Sequence, residues 1–271
     1  MCRMLGLVSA KPVSAARYLV EDECSLLAQA IKGDQGDGWG IGYYADGEPR
    51  VIKSPNPVWE EAELFRRTAS QAVSKIIIAH VRKASNPRGL PRERLIGLEN
   101  TQPFCYGRYL FAHNGTIYVP DEAAAMLGKY RHLIRGLNDS EVYFAYLVKE
   151  LEEREDAAEA LKAVEEGLWH ALRASGSGRD VPYSSLNAIF SDGARLYALT
   201  LYLKGRDLRS LCYRDSEYFR MAYRHEGDKL VVASEKTSRE GWQLLNNGEL
   251  LIAEPTTSGV RYSVVRLFDL R

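Results

Sequence analysis

Residues 1–9, MCRMLGLVS, set a cysteine directly behind the initiator methionine and at the head of an apolar run. Residues 3–9 of this stretch read as a buried strand. Working outward, residues 22–32 suit a short helix, with Leu26, Leu27, Ala30 and Ile31 at helical spacing. A glycine-dense loop over 33–40 leads into IGYY, a turn at Asp46-Gly47 and then RVIK, the pattern of a β-hairpin. Residues 58–73 read as an amphipathic helix with Pro57 at its start, where proline is tolerated. The runs at 75–81 (KIIIAHV) and 108–114 (RYLFAHN) are apolar strands, and 120–173 is mostly helical. A break near 138–140 offers Asp139 or Ser140 as a helix N-cap. From 183 to 268 strands return, separated by turn signals such as 191–193 and 246–248. Strands, a helical middle and strands again predict an α+β fold with antiparallel sheets and segregated helices, in one domain over 1–271.

With 45% hydrophobic and 27% charged residues, the composition is that of a globular protein with a substantial core. Lys+Arg and Asp+Glu both total 36, so no global basic field draws in nucleic acid or an anionic membrane. No apolar run reaches the roughly 20 residues of a membrane span, and the N-terminus lacks a signal-like apolar core. The expectation is a cytoplasmic protein with neither nucleic-acid nor membrane partners. Cys2, Cys24, Cys105 and Cys212 lie far apart without a CxxC pair, which argues against a zinc site or a disulfide framework. Cys24, Cys105 and Cys212 are expected to be buried small hydrophobes.

Cys2 carries the most chemistry. Once Met1 is removed, its thiol and α-amine sit on one residue and titrate near each other, about 8.5 and about 7.7–8.0 respectively. One residue then supplies both nucleophile and base. The segments MCRMLGL, GDGWGIGYY, AHVRKAS, ENTQPF, FAHNGTI and NDSE follow in that order. Together they resemble the class II glutamine amidotransferase family, and especially its stand-alone members that hydrolyse glutamine or γ-glutamyl compounds. The resemblance is strong over 1–145 and softer over the later strands.

That resemblance implies a four-layer αββα sandwich of two antiparallel sheets with helices outside. It makes Cys2 the nucleophile and gives Asn114 and Gly115 the oxyanion hole, although Asn-Gly is equally the signature of a tight turn. By the same resemblance Arg82 clamps the substrate α-carboxylate through a bidentate guanidinium. Asp139 accepts from the α-ammonium, a role compatible with simple helix capping, and Ser85 lies beside bound substrate. The glycines of 36–40 fit a tight loop beside the nucleophile, and they match no phosphate-binding motif. His80 and His113 fall in apolar strand patterns and read as satisfied core histidines. No cofactor or metal is implied. The partner is a glutamine or γ-glutamyl small molecule, with an ammonia-accepting protein as an added option. The rival reading is a catalytically silent module that senses glutamine or binds a partner. Two departures from the family stand out: Gln102 where relatives often carry His, and Asn86-Pro87 in place of the His-Gly of synthase-bearing members.

Overall fold

The computed structural model describes residues 1–203 and 208–269. Its strands are β1 (Arg3–Ser14), β2 (Trp39–Ala45), β3 (Glu48–Ser54), β4 (Val73–Val81), β5 (Phe104–Tyr106), β6 (Tyr109–Asn114) and β7 (Asn187–Ser191). They continue with β8 (Leu196–Thr200), β9 (Ala222–Glu226), β10 (Lys229–Ala233), β11 (Gln243–Leu244), β12 (Glu249–Pro255) and β13 (Val260–Arg266). One sheet runs β11-β9-β10-β1-β4-β2-β3 and the other β13-β12-β8-β7-β6-β5, with antiparallel pairing throughout.

The period-two alternation of each strand builds the layers. Leu5 and Leu7 of β1, with Ile77, Ala79 and Val81 of β4, face a core shared with α1 (Leu26–Gly33) and α2 (Ala62–Gln71). Met4 and Val8, with Ile76 and Ile78, face inward against Leu110, Ala112, Ile189 and Leu196 of the second sheet. Phe111, Phe190, Tyr197 and Leu199 point the other way, onto α3 (Pro120–Ala125), α4 (Asp139–Arg154) and α5 (Ala157–Ser175). The result is the four-layer αββα sandwich. Gly6 leaves no room for a side chain between the sheets: a Cβ there would lie 2.7 Å from Ile189 Cγ2 and 2.9 Å from Leu196 Cδ1.

Several boundaries differ from those the sequence suggests. α2 starts at Ala62 because the preceding residues turn, and Glu61 spends its carboxylate on the Trp39 indole (2.8 Å) and the Asn56 amide (2.8 Å). The cap of α4 is Asn138, whose side chain accepts from the Ser140 N–H, so neither Asp139 nor Ser140 takes that role. The short strands β5, β9 and β11 have no alternating apolar signal; pairing with neighbours defines them.

The cysteine expectation is overturned. Cys24 and Cys212 form a disulfide with Cα atoms 6.1 Å apart across 188 residues. Cys105 is exposed. Spacing could not reveal this pair, because only the folded chain brings 212 to the start of α1.

Candidate active site

Register brings Cys2 and Arg82 together at one end of the sandwich. Arg3 pairs with Val81, and Trp39 also pairs with Val81, so the entry to β1, the exit from β4 and the entry to β2 are adjacent. Cys2 and Arg82 are the next residues out. The glycine loop runs alongside them: the Asp37 N–H donates to the Arg82 carbonyl (2.9 Å) and the Arg82 N–H to the Gly38 carbonyl (2.8 Å). Gly38 takes φ +118°, and a Cβ there would come within 2.8 Å of the Ser54 carbonyl and of Thr101 Oγ1. Only glycine fits that turn.

Cys2 is buried, and its sulfur is bracketed by the Lys83 backbone. The Lys83 N–H donates to Sγ at 3.4 Å, and the thiol donates to the Lys83 carbonyl at 3.5 Å. Burial pushes the thiol pKa up, against the pull of the adjoining N-terminal ammonium, the Lys83 N–H and Arg82. With Met1 still attached the sulfur is therefore held as a neutral thiol.

Arg82 is 2% exposed, and Nη1 donates to the Leu95 carbonyl (2.8 Å) and the Asp37 carbonyl (3.3 Å). Among the described residues it makes no ion pair. Burial lowers its pKa, while Cys2, Asp37 and Asp139 pull it back up. Asp139, also buried, spends one oxygen on the Ser85 hydroxyl (2.5 Å) and the other on the Ile117 N–H (2.7 Å). Each oxygen keeps a further lone pair for a ligand. Ser85 and Asp139 are thus one unit, which the sequence did not indicate.

Asn114 ends β6 at 0% exposure, and neither its amide nitrogen nor its oxygen meets a partner among the described residues. Such a group costs about 1–3 kcal/mol when left unpaired. Gly115 follows with no room for a side chain, since a Cβ would lie 2.0 Å from the Ser185 carbonyl. His113 is satisfied as expected, by Ser140 Oγ (2.8 Å) and the Ser185 carbonyl (2.9 Å). His80 departs from expectation: it is buried between the sheets, neither ring nitrogen makes a well-formed hydrogen bond among the described residues, and burial beside Arg82 drives its pKa down to about 3 against a weak pull from the His113 backbone.

Residues 1–258 match the family model of the class II glutamine amidotransferases. The chain belongs to this family. It is 32% identical over its whole length to an uncharacterized protein of Methanocaldococcus jannaschii, covering 73% of that protein. It is 32% identical over 43% of its length to the γ-glutamyl-hercynylcysteine sulfoxide hydrolase of Mycobacterium tuberculosis, and spans 50% of that enzyme. The glutamine amidotransferase class II domain protein of Silicibacter pomeroyi shares the fold, with TM-score 0.66 at 21% identity and coverage of 97% and 98% of the two chains. So does the glutamine PRPP amidotransferase of Bacillus subtilis, with TM-score 0.61 at 17% identity over 98% of this chain and 49% of that one.

Within this class II chain, sequence reasoning missed the residues that hold the others in place. Asp37 accepts from the Ala84 N–H (2.7 Å) and pairs with Arg92, which fixes the turn after Arg82. Gln102 accepts from the His113 N–H (2.6 Å), just ahead of Asn114. Asn100 joins the ENTQPF and NDSE loops by accepting from the Leu137 N–H (2.7 Å), while its carbonyl accepts from the Asn138 amide (2.8 Å). Two signals were visible: an acidic residue inside a glycine loop, Asp37, and Gln102 standing where relatives often carry His.

Proposed function

We propose that this class II chain hydrolyses the γ-amide of glutamine or of a γ-glutamyl compound through a Cys2 thioester. Removal of Met1 frees the Cys2 α-amine, which takes the thiol proton that burial otherwise retains. The thiolate attacks the γ-carbonyl carbon. Asn114 Nδ2 and the Gly115 N–H donate to the resulting oxyanion, and the α-amine passes its proton to the leaving amine. Water then releases glutamate from the thioester. Arg82 pairs with the α-carboxylate, and Asp139, steadied by Ser85, accepts from the α-ammonium.

The observation that carries this reading is the buried Asn114 amide, unpartnered among the described residues, beside a buried Arg82 guanidinium that meets carbonyls but no carboxylate. Burying them is costly unless a ligand with an oxyanion and a carboxylate completes them. The mycobacterial relative's name points to γ-glutamyl amides beside glutamine itself. Ammonia can pass to a separate acceptor protein or be released.

The test is intact-mass analysis followed by assays on glutamine and γ-glutamyl peptides with wild type and Cys2→Ala. The expected result is loss of Met1, glutamate release by wild type and none by the variant. Activity that survives in Cys2→Ala overturns the reading.

A further inference from the structure

Around the Met1 carbonyl the chain has built a polar cradle that the mechanism above does not use. Gln35 Nε2 donates to the Met1 oxygen at 3.2 Å and the Tyr218 hydroxyl donates to it at 3.0 Å. Both groups are held firmly. Gln35 is 1% exposed, and a Cβ on Gly33 would lie 2.0 Å from its Nε2 and 2.8 Å from Leu211 Cδ1. The Tyr218 ring lies over the Arg3 guanidinium, 3.6 Å from ring centroid to Cζ, and the Tyr218 carbonyl accepts from Arg3 Nη1 (3.0 Å). Arg3 is fully buried and paired with Glu235 (3.3 Å), which also accepts from the Leu211 N–H (2.6 Å) and the Cys212 N–H (2.5 Å). Cys212 is in turn tied to Cys24 by the disulfide. Among the described residues, Gln35 Oε1 is buried without a partner.

Bond lengths put the Met1 carbonyl oxygen about 2.3 Å from the Cys2 nitrogen. When Met1 is cleaved away, the cradle is left facing the new α-amine across the width of one water. We infer that Gln35 and Tyr218 are positioning residues for the hydrolytic water that resolves the γ-glutamyl thioester. This inference rests on the function proposed above.

The four hydrogen-bonding directions of a water fit the site. Gln35 Nε2 donates to one lone pair, one O–H donates to the Tyr218 hydroxyl oxygen, and the other O–H points to the neutral α-amine. The remaining lone pair is free to attack the thioester carbonyl carbon. As the new C–O bond forms, the α-amine takes the water proton. The C–S bond then breaks, and the departing thiolate takes that proton from the ammonium. Hydrolysis thus regenerates the thiol and the free amine.

The test separates acylation from deacylation in Tyr218→Phe, which keeps the ring over Arg3, and in Gln35→Met. Ammonia release from glutamine is followed against glutamate release in the pre-steady state, with the covalent enzyme read by intact mass. Deacylation is expected to fall by about tenfold in each variant, the order of one lost hydrogen bond. Acylation is expected to stay at the wild-type rate, giving an ammonia burst and an accumulating thioester. Wild-type deacylation in both variants, or acylation and deacylation slowed alike, overturns the water cradle while Cys2-dependent hydrolysis stands. Retention of Met1, or activity that survives in Cys2→Ala, overturns the proposed function and this inference with it.

Discussion

At the scale of single residues, the end of β6 sets an unpartnered side chain, Asn114, beside a satisfied one, His113. The Asn114 amide makes no hydrogen bond that its removal could cost the folded state, since both polar atoms are unpartnered among the described residues. Asn114→Ala is therefore expected to leave unfolding free energy unchanged or slightly raised, while kcat falls by about 10²–10³. Denaturant titration beside steady-state kinetics checks this, and a destabilised variant would mean that Asn114 is structural. Arg82→Lys keeps the charge and removes the fork that a carboxylate matches. A rise in KM for substrates that bear an α-carboxylate is expected, and an unchanged KM would dissociate Arg82 from substrate. Asn-Gly and Arg at a strand end are visible in any sequence. Whether the amide is spent, and whether the guanidinium has an internal carboxylate, is visible only in the fold.

At the scale of elements, the strap over 208–221 is what ties the start of β1 to α1. Its anchors are distant in sequence: Cys24 to Cys212, Glu235 to the 211–212 backbone, and Tyr218 to Met1. Cross-linking a loop of 188 residues restricts the unfolded chain strongly, and the entropy model assigns such a loop about 5 kcal/mol. Cys212→Ser is expected to lose stability on that order, read as a shift in the urea midpoint that a reducing agent reproduces in wild type. An unchanged midpoint under both treatments would show that the bond is not formed in solution. Disulfides are rare in reducing compartments, so this bond runs against the cytoplasmic expectation drawn from composition. Among the described residues no helix is long and apolar enough to cross a membrane.

At the scale of the whole molecule, the layer between the sheets imposes its own pH dependence. His80 is neutral in the fold, with a pKa pushed down to about 3, whereas an unfolded histidine titrates near 6.5. The unfolded chain binds the proton first as pH falls, so this contribution to stability is full above about 6.5 and declines towards 3. His113, shifted in the same direction by burial, adds to the decline. His80→Leu is expected to flatten the fall in urea midpoint between about pH 6.5 and 5, before most carboxylates titrate. An identical slope in the variant would remove His80 from the account. The same layer leaves no space at Gly6, and Gly6→Val is expected to cost about 1–3 kcal/mol by overpacking, measured by chemical denaturation.

The strand periodicities, the helical middle and the glycine-bracketed turns were legible in the chain because they are local. The order of the motifs around Cys2, Arg82, Asn114 and Asp139 was legible too, since each falls at a strand end or loop where side chains reach a site. Short strands such as β9, the Asn138 cap, the Ser85–Asp139 pairing, the disulfide and the Gln35–Tyr218 cradle were not. Each depends on partners tens to hundreds of residues apart, so its energy exists only once the two sheets are stacked. The sequence alone determined which faces are apolar and which residues were the candidates for chemistry. Tertiary structure decided which of those groups are already satisfied, because hydrogen bonds and burial are properties of the assembled neighbours.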